Sequence, residues 1–107
     1  MTKYPKVELT LPDWIYEEIT EEFYSSNDEK MDLVIRLSER NIFENTGGPF
    51  GAGIFEKSSG RLVAPGVNIV VPQSCSVAHA ETMAIMIAQN ACGTFDLGAS
   101  SLPDMEL

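Results

Sequence analysis

The chain's only histidine, His79, stands two residues before Glu81 in the stretch S-V-A-H-A-E-T-M-A-I-M-I-A-Q at 76–89. A neutral imidazole is a metal ligand and a carboxylate close to it can move protons, so the pair has the residue types of metal-assisted hydrolysis. The stretch reads as a helix that starts near His79, and the positive partial charge at a helix start disfavours the imidazolium and keeps the ring neutral. Residues two apart do not share a helix face. His79 and Glu81 can therefore converge only on a site lying across the helix end. A structural histidine buried among alanines, and a glutamate that simply complements the helix dipole, are the plainer readings of the same two residues.

The elements that must position this pair follow from hydrophobic patterning. Trp14, Ile15, Ile19 and Phe23 recur at near-helical spacing between acidic residues, which predicts a short amphipathic helix over 13–24. Ser26 and Glu29 form a capping box, and Met31, Val34, Ile35 and Ile42 follow along one stripe, so a second helix is expected over 28–44, ended by T-G-G-P at 46–49. From Phe50 the pattern changes to strand: F-G-A-G-I-F, the polar turn E-K-S-S-G, then R-L-V-A-P-G-V-N-I-V-V. This is a β-hairpin, with Gly51 and Gly53 where backbone or ligand can come close, and with Pro65-Gly66 marking a bulge or an edge strand. The 76–89 helix is apolar all round, which calls for burial on more than one side. Residues 90–101 read as turn and loop, and L-P-D-M-E-L at 102–107 as the entry to another strand.

Composition narrows the class. The 107 residues fit one domain at most. Seven basic against sixteen acidic residues give a net charge of −9, concentrated early in the chain. Such a surface repels phosphate backbones, which excludes polynucleotide partners, and the acidic run reads as a solvated helix face. Cys75 and Cys92 have no spacing that suggests a disulfide framework and read as reduced thiols. With no apolar run long enough for a membrane span or a leader, a cytoplasmic protein without membrane partners is expected.

Three motifs occur in order: G-G-P-F-G-A at 47–52 opens a strand, G-V-N at 66–68 closes its partner, and A-H-A-E at 78–81 opens the next helix. This succession resembles the cytidine-deaminase-like superfamily, and within it the bacterial guanine deaminases and related nucleobase deaminases. The resemblance runs from about residue 31 to 107, with 1–26 as an acidic extension carrying a short helix and 27–107 as a partial cytidine-deaminase-like domain. It implies an α/β (α+β) architecture, the N-terminal half of a three-layer α/β/α fold in which a β-hairpin packs with two or three helices. It also implies that His79 is a zinc ligand and that Glu81 shuttles protons in the hydrolytic deamination of an aminated purine or pyrimidine ring. Asn68 then hydrogen-bonds the base, Phe50 stacks on it or packs in the core, and the backbone N–H of Ala80 faces a substrate oxygen.

The sequence departs from the family in one respect. The P-C-x-x-C motif that completes the zinc site is not present, and Cys75 and Cys92 do not match its positions. A catalytic zinc needs three protein ligands and an open fourth position. The expectation is a truncated, guanine-deaminase-like chain, inactive by itself and with zinc absent or incompletely held. Its partners would be a small-molecule nucleobase or nucleoside and either a second copy or the missing half. A non-catalytic remnant or dimerisation module of the same fold is the alternative.

Overall fold

The computed structural model of the chain describes residues 3–107. Its elements are α1 (Ile15–Glu18), α2 (Asn27–Phe43), β1 (Gly51–Glu56), β2 (Leu62–Val67), α3 (Ala80–Cys92) and β3 (Met105–Glu106). The strands form one antiparallel sheet in the order β2-β1-β3.

Helix α2 begins as its sequence dictates. Ser26 is the N-cap in extended conformation, and its hydroxyl accepts from the Glu29 N–H at 3.1 Å. The Glu29 carboxylate reaches one residue further back than a capping box requires, accepting from the N–H and hydroxyl of Ser25 at 3.0 and 3.1 Å. The buried stripe differs from the predicted one. Leu33, Leu37 and Asn41, four residues apart, face inward with no exposed surface, while Met31, Ile35 and Ile42 are 58%, 47% and 53% exposed. The stripe chosen from the sequence has more apolar residues, but the sheet takes the face that carries Leu33 and Leu37.

The first helix is shorter than its periodicity suggests. It ends at Glu18, and Ile19 turns to an extended conformation. The backbone that follows is used by the hairpin: Phe23 bridges to Arg61, the Tyr24 N–H donates to the Gly60 carbonyl at 2.8 Å and the Leu62 N–H to the Glu22 carbonyl at 2.9 Å. A continued helix would forgo these bonds. The acidic face is also less purely solvated than expected. Glu18 accepts from Arg36 at 2.9 Å and Glu17 from Arg40 at 3.0 Å, tying α1 to α2.

In the hairpin Gly51 is opposite Val67, Ala52 opposite Gly66 and Gly53 opposite Pro65. The register shifts between Ile54 and Phe55, not at Pro65-Gly66. Pro65 lies on the edge strand β2, where a missing N–H leaves no interior ladder broken. Side chains alternate across the sheet. Ala52, Ile54 and Ala64 pack with Ala80, Ala84 and Ala88 of α3, and Phe55 and Val67 cluster with Leu33 and Leu37 of α2 on the other face. Helix, sheet and helix thus form the three layers expected, in an α+β fold. The 102–107 segment supplies the short β3, which pairs Phe55 with Glu106 and Glu56 with Met105. An ion pair from Lys30 of α2 to Glu106 fixes it there. Among the described residues no helix is long and apolar enough to cross a membrane.

Candidate functional site

Phe50 and Asn68 flank the hairpin strands and share a backbone hydrogen bond, and His79, Ala80 and Glu81 stand at the start of α3; Glu81 lines a groove that the other four do not. Helix α3 starts one residue later than a first-turn histidine requires. His79 is the N-cap, extended at φ −73° and ψ 161°, and its ring makes no capping hydrogen bond. It is exposed, which removes the buried structural reading. Glu81 is the second helical residue and also exposed. Glu81 lines a groove of about 490 Å³ bounded by Gly51, Ala52 and Gly53 of β1, Lys30 and Val34 of α2, and Glu106. As a pair two residues apart, His79 and Glu81 sit across the helix end.

Two backbone contacts seat that helix end on the sheet. The Ile69 N–H donates to the Ala78 carbonyl at 3.1 Å, so Asn68 and His79 each flank one hydrogen bond. Gly66 lies against the first turn of α3, where a Cβ would come within 2.1 Å of the Ala80 carbonyl oxygen. Ala80 is fully buried by this contact, and its N–H donates to no protein acceptor among the described residues.

Asn68 is held almost completely. Its N–H donates to the Phe50 carbonyl at 3.2 Å. Its backbone carbonyl accepts from Asn41 Nδ2 at 2.8 Å, and its Oδ1 accepts from the Val70 N–H at 3.3 Å. Only the Nδ2 amide group has no partner among the described residues, which leaves its two hydrogens undonated. Phe50, at the other end of that backbone bond, is 56% exposed, and its ring lies close to Gly48. Exposure of that size is not core packing.

Sequence reasoning missed Asn41. It has no exposed surface, it is the one buried polar residue among the described residues, and its amide also donates to the Gly48 carbonyl at 2.8 Å. The signal was present in the i, i+4 spacing of Leu33, Leu37 and Asn41, since a polar residue continuing a buried stripe must have partners.

The metal question turns on the donor set. Cys75 is half-buried and packs against the core, and Cys92 sits at the far end of α3. Among the described residues no three His, Cys, Asp or Glu side chains are grouped so as to hold a metal ion. His79 is a single nitrogen donor, and these residues do not by themselves fit a catalytic zinc.

No protein-family model matches the chain, and no curated protein does. Solved structures do. NE0047 in complex with 2,6-diaminopurine is 39% identical with a TM-score of 0.85, over 92% of this chain and 52% of that one. A guanine deaminase from Nitrosomonas europaea is 38% identical with a TM-score of 0.85, over 94% and 55%. The guanine deaminase from Bacillus subtilis is 29% identical with a TM-score of 0.62, over 67% and 45%. The chain spans about half the length of these structures.

A hairpin between two helix layers, with H-x-E at the cap of the second helix, resembles part of the cytidine-deaminase-like superfamily's fold. Within that superfamily the chain resembles the bacterial guanine deaminases, in line with the N-terminal half of one.

Proposed function

We propose that this chain supplies the base-recognition and proton-transfer side of a nucleobase deaminase that acts on guanine or a closely related aminated ring. The reading is carried by one observation. Asn68, bound at three of its polar groups and free at Nδ2, is joined through the Ile69–Ala78 hydrogen bond to His79 and the helix start bearing Glu81. It is supported by the guanine deaminase named among the similar structures and by the purine held in another of them.

In the reaction water adds to the amino-bearing ring carbon, the carbon–nitrogen bond breaks, ammonia leaves and a ring carbonyl remains. Glu81 takes one proton from the attacking water and gives it to the ring nitrogen, then carries the second, from the added hydroxyl, to the amino group, which leaves as ammonia. The Asn68 amide donates to an acceptor on the base and Phe50 covers a ring face. His79 offers one nitrogen to the zinc of the family site. The remaining donors come from a polypeptide segment that carries the P-C-x-x-C motif. The chain acts in the cytoplasm on a free base or nucleoside.

Intact mass, zinc content and ammonia release from guanine test this together. The expected result is that the chain alone holds no stoichiometric zinc and releases no ammonia. A complementing polypeptide carrying P-C-x-x-C should restore both, and Glu81→Gln in that assembly should remove turnover. An assembly that takes up zinc and fails to deaminate guanine, cytosine or other aminated bases would overturn the proposal.

A further inference from the structure

A directional hydrogen-bond chain runs from the N-terminal segment to Asn68. The Trp14 indole N–H donates to the Thr46 hydroxyl at 2.9 Å, and the Thr46 hydroxyl donates to Asn41 Oδ1 at 2.7 Å. Asn41 Nδ2 then donates its two hydrogens to the Gly48 and Asn68 carbonyls, each at 2.8 Å. The direction is fixed by chemistry. An indole can only donate and a carbonyl can only accept, so the Asn41 amide has one orientation available, and the Thr46 hydroxyl donates to Asn41 Oδ1 at 2.7 Å in preference to the Asn41 backbone carbonyl at 3.4 Å. Turning the Asn41 amide over would set its oxygen against two carbonyl oxygens.

The surroundings are built for this arrangement. Asn41 and Trp14 are 0% and 5% exposed. Gly47, at φ +155°, lies over the hub, where a Cβ would come within 1.8 Å of the Asn68 carbonyl oxygen and 2.8 Å of Asn41 Nδ2. The two carbonyls held by Asn41 belong to Gly48, beside the Phe50 ring, and to Asn68 itself. One buried amide thus ties the loop carrying Phe50 to the strand end carrying Asn68.

We propose that Asn41, oriented by Thr46 and Trp14, is the positioning residue that aims the Asn68 amide and the Phe50 loop at the base. The N-terminal segment is thereby part of the recognition machinery without touching the ligand. The proposal rests on the reading of Asn68 as a base ligand.

The test uses the 107-residue chain, NMR of side-chain amides, and titration with 8-azaguanine as the probe. Thr46→Val keeps the shape and removes the hydroxyl. It should move the Asn68 and Asn41 side-chain amide signals, speed their hydrogen exchange and weaken 8-azaguanine binding about five- to tenfold. Thr46→Ser should restore all three. Should Thr46→Val not fold, Trp14→Phe removes the donor at the far end together with part of a buried ring, and should move the same signals. A variant that melts earlier while the Asn68 signals and the affinity stay at wild-type values overturns the proposal. Equal 8-azaguanine titrations of wild type and Asn68→Ala, with Thr46→Val still moving the Asn68 signals, would uphold the positioning and overturn Asn68 as the base ligand.

Discussion

Gly66 and Ala80 meet backbone to backbone: no side chain fits between β2 and the first turn of α3, because a Cβ on Gly66 would lie 2.1 Å from the Ala80 carbonyl oxygen and 2.8 Å from the Ala84 nitrogen. Both obstacles are main chain and cannot rotate away. Gly66→Ala should therefore force the helix start off the sheet, costing roughly 3 kcal/mol or more. Chemical denaturation measures the loss. Amide shifts concentrated at 78–84 would show that it arises at this contact.

His79 makes no capping bond and is exposed. His79→Ala should accordingly leave stability within about 0.5 kcal/mol of wild type, the usual range for surface changes. In a zinc-loaded assembly with the complementing donors, the same change should abolish stoichiometric zinc. Thermal melting of the chain and metal analysis of the assembly separate the two effects.

The two faces of α2 should respond in opposite ways. Leu37→Ala removes a side chain with no exposed surface and should cost about 2–5 kcal/mol. Ile35→Lys, at a position 47% exposed, should change stability by no more than about 0.5 kcal/mol. A large loss from Ile35→Lys in denaturant titrations would mean that this face is covered in solution.

The pairs that fasten the hairpin and β3 make stability fall in acid. The Lys30 ammonium, hydrogen-bonded to Glu106, holds that carboxyl below its ordinary value of 4.5, and Arg61, followed by Ser59, does the same for Glu56. A carboxylate whose pKa is depressed by folding contributes stability that is complete above the unfolded value and is lost as pH falls through the folded one. Melting temperatures should hold down to about pH 5 and then decline. Glu106→Gln should melt lower than wild type at pH 7, and the gap should close as the pH falls below 4.5.

Much of the framework was legible because its signals are local. Ser26 and the acidic first turn start α2, the G-A-G-I-F and L-V-A-P-G-V runs give the hairpin, and Pro65 marks an edge. Gly51 was recognisable as a place of close approach, and a Cβ there would lie 2.6 Å from the Val34 carbonyl oxygen. What the sequence concealed depends on distant partners. Whether the Ile35 or the Leu37 side of α2 faces the sheet is decided by the strands. The early end of α1 is decided by Gly60 and Arg61, far along the chain. At the site, His79, Glu81 and Asn68 could be named from their motifs, but Asn41 and Thr46 belong to no motif and gain meaning only from the carbonyls and the indole that the fold brings to them.

The exposed positions of His79 and Glu81 have an evolutionary reading. Neither side chain fills space in the interior, so exchanging either would leave the architecture intact, and selection on foldability alone would not preserve them. Asn41 is under the opposite regime. A change there is registered by the scaffold first, so in a lineage drifting away from its ancestral role the hub should outlast the residues it serves.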